Sequence, residues 1–269
     1  MNPLWLQIVG WISLGTAFAC AVTILVDELV LGHRQMMWIM NLVHPITALY
    51  FGPVWVWAYF TRARRMSTKV MHARLEEALE QGVDPEELKR EDERDGVRGW
   101  HVGNAVSHCG AGCTLGDIGG EWIVWATGWT IAGVTLYPEL VLDFPLAWAF
   151  GILFQYFTIV PMREDVGKLR GLWIAARADT LSIVAFQIGL FGWMAISAKA
   201  IWQPPLQIDT PGHWFMMQVG MILGYFTSWP VNKWLVQKGW KEKMSAKKHL
   251  AEMLEHERER AQPQQPQAA

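Results

Sequence analysis

Long apolar stretches separated by short charged segments are the feature of this sequence that most restricts its fold. Stretches of about 20 residues with few charges recur along the chain, and a helix of about that length crosses the ~30 Å hydrocarbon core of a bilayer. Backbone N–H and C=O groups need internal partners in lipid, which favours helices for these stretches. The sequence therefore predicts an all-α, polytopic membrane protein in contact with the lipid bilayer.

Six segments are predicted to span the membrane. The second is interrupted by His44-Pro45, and the third must include residues before Glu121, because the apolar run that follows is too short alone. The predicted spans are Leu4–Val26, Trp38–Phe60, a helix ending near Leu136, Leu140–Met162, Leu172–Ala198 and His213–Val236.

Basic residues concentrate in alternate loops, and this predicts the orientation of the chain. Segments 61–100, 163–171 and 237–269 hold 9, 3 and 7 Lys and Arg residues, whereas the other loops hold only Arg34 and Lys199. Cytoplasmic loops are the ones enriched in Lys and Arg. Both termini are therefore predicted to be cytoplasmic, in a multi-pass protein of the cell membrane, most naturally the bacterial inner membrane.

The charge distribution also divides the chain into four parts. Residues 1–60 are predicted to form two transmembrane helices and residues 100–237 a four-helix transmembrane core. The charged cytoplasmic loop at 61–99 contains Asp84-Pro-Glu-Glu, a helix start with an acidic N-cap and a proline at the first helical position. Residues 238–269 are predicted to form a charged helix and then a disordered tail from Gln262.

Composition excludes one class of partner. The net charge is −2, and no basic stripe alternates with aromatic residues, so nucleic acid is not an expected partner. Nucleotide-binding loops are also missing from the sequence, which argues against an ATP-driven pump built from this chain alone.

The residues best suited to chemistry lie in one run that contains His108, Cys109, Cys113 and Asp117. On a helix, Cys109 and Cys113 lie one turn apart on the same face, and Asp117 continues that row. Thiolate and imidazole groups together suit Cu(I), Zn(II) or iron. We therefore predict that His108, Cys109 and Cys113 ligate a metal ion, with copper as the first choice.

Two other interpretations of this run stay open. The two thiols could alternate between dithiol and disulfide, since cysteines four residues apart on a helix lie near the upper limit of disulfide-compatible Cα separation. Alternatively, five glycines and the small cysteines mark a close helix crossing. Packing alone does not explain His108 and Asp117, because ionisable groups at membrane depth cost several kcal/mol unless they are paired. The glycines are Gly110, Gly112, Gly116, Gly119 and Gly120.

Two further polar residues are predicted to approach this run from other helices. Gln155 on the fourth span and Asp179 on the fifth lie near the cytoplasmic ends of those spans, so they could meet His108 in one inner layer. There Asp117 and Asp179 would support the ligands or line an ion path. The alternative for Asp179 is an ion pair with Arg177 or Arg170 at the membrane face.

Two histidines complete the set of candidates. His101 lies seven residues before His108 and on the same helix face, which neighbours the face of the two cysteines. His44 precedes a helix-bending proline and is predicted to lie about two turns from the outer surface, level with Met216 and Met217.

Several motifs in the second half of the chain carry a family resemblance. They are His108-Cys-Gly-Ala-Gly-Cys-Thr-Leu-Gly-Asp, Phe154-Gln-Tyr-Phe, Ala178-Asp-Thr-Leu-Ser, Phe215-Met-Met-Gln and Ser228-Trp-Pro-Val-Asn. From about residue 100 to 240 the chain resembles the bacterial membrane proteins of "domain of unknown function 4396". The resemblance implies a multi-helix membrane domain and brings with it no reaction, ligand or cofactor.

Three functions are compatible with these residues. The leading hypothesis is a membrane metal-binding protein, copper-type first, for metal transport or homeostasis. The second is a membrane oxidoreductase that uses Cys109 and Cys113 as a thiol pair or as ligands of a redox metal. The third is a structural subunit of a membrane complex or homo-oligomer, with tryptophan-rich faces as its contact surface. The sequence does not decide whether the protein is an enzyme.

Overall fold

The computed structural model describes residues 3–162 and 168–261, and its regular elements there are all helical. This confirms the predicted all-α class. The tail predicted to be disordered, residues 262–269, lies outside the described residues. The α-helices of the described ranges are α1 (Leu4–Leu29), α2 (Met40–Phe51), α3 (Pro53–Thr61), α4 (Thr68–Glu80), α5 (Pro85–Asp95), α6 (Gly99–Thr127), α7 (Leu136–Met162), α8 (Lys168–Ile196), α9 (Pro211–Gln237) and α10 (Ala246–Ala261).

Three helical segments of the described chain are long and apolar enough to cross a membrane. They are α1, residues 136–157 of α7, and residues 169–201, which comprise α8 and a π-helical turn after it. Large apolar side chains such as Trp11 and Phe18 on α1 are exposed on the outer surface, where lipid would cover them. The chain is thus a membrane protein whose apolar helices contact lipid.

Residues 40–61 form a helical hairpin. The helices α2 and α3 meet at Gly52, whose φ of 55° is a backbone conformation that glycine adopts without a steric penalty. Pro53 then begins α3, where its fixed φ suits the first helical turn. The ring centroids of His44 on α2 and Tyr59 on α3 lie 5.5 Å apart, so the two helices run back along each other.

The segments that enter and leave this hairpin lie side by side. The Thr68 N–H donates to the Arg34 carbonyl at 2.8 Å, and the Met36 N–H donates to the Met66 carbonyl at 3.3 Å. The helices α2 and α3 have 12 and 9 residues. They are therefore about 18 and 14 Å long, and each is too short to cross the ~30 Å hydrocarbon core of a bilayer. The structure therefore differs from the predicted single span at Trp38–Phe60, since the chain turns at Gly52 and returns to the end of the bundle at which it started.

The start of α1 and the end of the described chain consequently lie at opposite ends of the bundle. The Gly212 N–H at the start of α9 donates to Gln7 Oε1 near the start of α1, at 3.2 Å. The helix α10 follows the other end of α9 and packs on α4 and α5. Since α9 has 27 residues, these two ends are ~40 Å apart. This arrangement of the described ends differs from the prediction that both termini share one side, because the hairpin returns residues 40–61 to the end at which they began.

We call the end that carries residues 62–98 and α10 the basic end, and the other the far end. At the basic end, Asp84 Oδ1 accepts from the Glu86 N–H at 3.3 Å, which confirms the predicted N-cap of α5. Asp92 on α5 accepts from the Ser245 hydroxyl and pairs with Lys243 Nζ at 3.0 Å. These contacts hold the segment after α9 against the small helical layer of α4, α5 and α10.

Small residues let α6 and α7 approach each other closely. A Cβ added to Gly116 would lie 2.2 Å from the Ala147 nitrogen, and one added to Gly112 would lie 2.7 Å from the Gly151 Cα. Small residues four apart give transmembrane helices such backbone contact. The close helix crossing predicted from the glycine run is therefore confirmed at these two positions, whereas Gly119 faces open space.

We expect cysteines placed at Pro3 and at Gln81 to react with an impermeant thiol reagent from opposite sides of the membrane. The measurement compares labelling in intact cells and in inverted membrane vesicles. The parent chain is the blank, because Cys109 and Cys113 are buried and Cys20 is half-buried. Labelling of both positions from the same side would contradict the hairpin.

We also expect Gly116→Ala to lower the thermal stability of the detergent-purified protein. The added methyl group would collide with the α7 backbone, and overpacking of this kind costs about 1–3 kcal/mol. Gly119→Ala is the matched control, since its methyl group meets no atom within 4 Å and alanine is the better helix former. Equal melting temperatures for the two variants would contradict the packing assignment.

Candidate functional site

The two predicted thiols lie deep in the bundle. Because α6 begins at Gly99, His108 is nine residues or ~14 Å from the start of the helix, and the cysteines follow it into the middle. Cys109 and Cys113 are fully buried and lie one helical turn apart on α6. They belong to the apolar core to which α1, α2, α3, α6, α7, α8 and α9 contribute.

The predicted metal ligands do not form a closed set in the structure. Among the described residues, no three His, Cys, Asp or Glu side chains are arranged so that they could hold a metal ion. The His108 ring packs edge-on against Phe154, with 6.1 Å between centroids. Two thiols remain as adjacent soft donors, which suits a two-coordinate soft ion better than a tetrahedral one.

A second group of polar residues lies between the thiols and the far end. It consists of four buried carboxylic acids, Asp117 and Glu121 on α6 with Glu139 and Asp143 on α7. We call these four residues the carboxylate cluster. Asp143 Oδ1 occupies the space where a Cβ would stand on Gly120, so the close approach of α6 and α7 brings the two acidic rows together.

Few groups neutralise the carboxylate cluster. Gln187 on α8 donates its amide to Asp117 Oδ1 at 2.9 Å, and His213 Nε2 on α9 lies 3.4 Å from Glu121 Oε2. The Asp143 charge interacts with those of the other three carboxylates. One oxygen on each of Asp117, Glu121 and Asp143 accepts no hydrogen bond within the described part of the chain.

This arrangement cannot carry its full negative charge without a counterion. Two negative charges about 6 Å apart repel by roughly 3 kcal/mol at an effective dielectric constant of about 20, and burial adds a desolvation penalty. The single nearby His213 offsets at most one of the four charges. The full negative charge of the cluster would therefore need compensation by protons or by another cation.

A third group surrounds a buried lysine near the basic end. Lys241, which follows α9, places its Nζ 2.5 Å from Asp179 Oδ1 on α8. The same Nζ donates to Ser182 Oγ at 3.1 Å and to Asn232 Oδ1 at 2.9 Å. We call Asp179, Ser182, Asn232 and Lys241 the lysine cluster. The ion pair is buried, and the two hydrogen bonds from the ammonium help to offset the free energy of burying its charge.

Asp179 was predicted to face either His108 or an arginine. The structure buries it completely and pairs it with Lys241. The Arg177 guanidinium instead lies over the Trp240 ring, 4.0 Å from its centroid, so the predicted pair with Arg177 is wrong. The Lys241 charge does act on His108, and Gln155 is buried on α7.

An apolar layer separates the carboxylate cluster from the lysine cluster. On α8, Ile183 and Phe186 lie between Asp179 and Gln187 and are fully buried; eight residues of helix correspond to ~12 Å. The thiols of α6 belong to the same apolar core as Ile183 and Phe186. Apolar side chains thus separate the two clusters along α8.

The two remaining histidine candidates lie away from the thiols. His101 is in the first turn of α6, where its Nδ1 accepts from the Arg98 N–H at 3.1 Å, so it caps the helix. His44 is buried against Tyr59 near the base of the hairpin at the basic end. Its predicted position near the opposite surface, level with Met216, is wrong because residues 40–61 do not cross the bundle.

Sequence reasoning missed most members of the two clusters. Glu139 stands just before the predicted fourth span and Lys241 just beyond the sixth, so both counted as loop residues. Asp143 offered a signal, since an ionisable residue inside an apolar run defaults to a functional candidate. Glu139 and Asp143 are also four residues apart and hence on one helix face.

Comparison with known proteins supports one statement about the core of the bundle. The family model described as "Domain of unknown function (DUF4396)" matches residues 100–241. This range includes α6 to α9 and Lys241, and it therefore contains both polar clusters and the two thiols. Neither the curated proteins nor the solved structures contain a match to the chain.

Proposed function

Because the chain belongs to the family described as "Domain of unknown function (DUF4396)", whose description names no reaction, we propose a function from its buried charges. The protein is a membrane transport protein that translocates protons, and the carboxylate cluster is its proton-binding site. The observation that carries this proposal is the burial of four carboxylic acids beside one histidine. Ionisable groups inside a bundle mark ion pathways and proton relays.

Protons are the cation that this geometry favours. A metal ion needs several donors around one point, whereas the carboxylates follow one another along α6 and α7 and form no such group in the described ranges. Groups spaced one helical turn apart can pass a proton stepwise, each in turn serving as acceptor and donor. Glu139 and His213 lie nearest the far end and would receive protons there.

The lysine cluster would complete the path at the basic end. A proton that reaches the middle of the bundle must cross the apolar layer to reach Asp179. The Lys241 ammonium compensates the Asp179 carboxylate and would be displaced when that carboxylate takes up a proton. Under this proposal, conduction would require a movement or a water chain at the level of the buried side chains of Ile183 and Phe186.

The membrane arrangement that fits this path has five crossings and one re-entrant hairpin. The crossings are α1, α6, α7, α8 and α9. The basic end would face the cytoplasm, since residues 62–98 and the segments after α7 and α9 carry most of the Lys and Arg residues. Arg34 also lies at the basic end. At the far end, the segments that connect the helices contain one basic residue, Lys199. A bacterial inner membrane, across which a proton gradient is maintained, is the setting we propose.

We expect purified protein reconstituted in liposomes to increase proton flux across the bilayer, and Asp117→Asn or Asp143→Asn to reduce that flux about tenfold or more. Asparagine keeps the size of aspartate and cannot exchange a proton, and removal of a proton-transfer group commonly costs a factor of about 10²–10⁴. Flux is measured with a pH-sensitive dye inside the liposomes under an imposed potential.

Asp209→Asn is the matched control, because Asp209 is exposed in the segment between α8 and α9. Its flux should equal that of the parent. Proteoliposomes that leak no faster than empty liposomes, or an Asp117→Asn variant with parental flux, would refute proton translocation through the carboxylate cluster.

A second candidate function rests on the two buried thiols of α6. Cys109 and Cys113 are adjacent, fully buried and surrounded by apolar side chains, which suits capture of a soft monovalent ion such as Cu(I) as bound or transported metal. No third donor of the described chain joins them in a metal-binding group. We rank this function below proton translocation, because it leaves the carboxylate cluster without a role.

Under this second function, we expect Cys109→Ser and Cys113→Ser to abolish Cu(I) binding while the protein still folds, since serine keeps the size of cysteine and is a weak ligand for soft metals. Copper content is measured on detergent-purified protein after equilibration with a Cu(I) chelator. Cys20→Ser is the control, because Cys20 is half-buried on α1. Unchanged copper content in both variants would eliminate the thiol site.

A further inference from the structure

A large cavity lies at the basic end, where the hairpin meets the helical layer of α4, α5 and α10. Its volume is about 800 Å³, and its lining residues come from the end of α2, α3 and the segment after it, α4, α5, the start of α6, α9, and the start of α10 with the segment before it. Volumes of this order are typical of ligand pockets. None of the residues assigned above to the carboxylate cluster, the lysine cluster or the thiol pair lines it.

Three arginines on the cavity wall have no acidic partner. Arg62, Arg65 and Arg74 line the cavity, and no salt bridge or side-chain hydrogen bond joins them to another described residue. The acidic residues of the same wall are already engaged, since Asp92 pairs with Lys243 and Asp95 pairs with Arg98. The cavity therefore carries a net positive charge that nothing in the described chain neutralises.

The remaining wall of the cavity is aromatic and continuous with the lipid-facing surface. Trp57 on α3 is 66% exposed and Phe226 on α9 is 59% exposed, and both line the cavity together with the half-buried Trp229. Tryptophan rings collect at the level of lipid headgroups. Cations and apolar rings on the wall of one cavity match a molecule with a phosphate group and acyl chains.

We propose that this cavity binds the headgroup of an anionic phospholipid, with its phosphate on Arg62, Arg65 and Arg74 and its acyl chains along Trp57 and Phe226. Guanidinium groups form paired, charge-assisted hydrogen bonds with phosphate oxygens, and basic residues beside a membrane helix attract anionic lipids. Free phosphate shares the headgroup chemistry but cannot use the apolar wall, so the lipid is the occupant that the geometry favours.

The test measures binding to the full chain purified in a neutral detergent. Short-chain phosphatidylglycerol, short-chain phosphatidylcholine and inorganic phosphate are titrated separately, and the apparent Kd is read from the shift in melting temperature. We expect saturable binding of phosphatidylglycerol alone. The Arg62→Gln/Arg65→Gln variant should bind it about 10- to 100-fold more weakly, because each lost charge-assisted hydrogen bond costs roughly a factor of ten.

The control variant is Arg90→Gln/Arg94→Gln, which removes two cations from α5 outside this cavity and should bind like the parent. Arg62 and Arg65 are exposed, so their substitution leaves the packed core intact, and an unchanged melting temperature without lipid verifies this. Equal binding of phosphatidylcholine, equal binding of inorganic phosphate, or parental affinity in the Arg62→Gln/Arg65→Gln variant would each overturn the proposal.

Discussion

The polar core of this protein depends on the close approach of α6 and α7, where Gly116 lets the backbone of Ala147 come nearer than any larger residue would allow. At this separation the acidic residues of both helices occupy one layer, and Asp143 uses the space left by Gly120. A wider spacing would place these carboxylates against lipid, where they could not remain charged. The glycine contact is thus the structural condition for the carboxylate cluster.

The re-entrant hairpin is the second constraint, because it changes which surfaces share one end of the bundle. It brings Arg34 and Arg64 together at the basic end, where Asp27 on α1 accepts from Arg64 Nε at 3.1 Å and from the Tyr59 hydroxyl at 2.9 Å. Because the chain turns back at Gly52, α3 forms part of the wall of the arginine-lined cavity.

The sequence predicted only part of the candidate site, because several of its contacts join residues that are far apart in the sequence. Asp117 and Asp179 stood out because they are charged residues inside apolar runs, and both are buried. Lys241 lies beyond the apolar run of α9, yet it folds back to Asp179, a contact between residues 62 positions apart that no local pattern contains. A metal site at His108, Cys109 and Cys113 was predicted from the spacing of these residues along α6. What such residues can bind depends also on the side chains that other helices place beside them.

By itself, the sequence determined that this chain is helical and embedded in a membrane, since apolar stretches of sufficient length have no other stable conformation in lipid. It also determined the N-cap at Asp84, because a cap depends on residues within one turn. Only the tertiary structure decided that residues 40–61 turn back at Gly52, that α6 and α7 gather the carboxylates, and that Lys241 neutralises Asp179. These features depend on contacts between distant residues, and the free energy of burying a charge is set by the partners that the fold supplies.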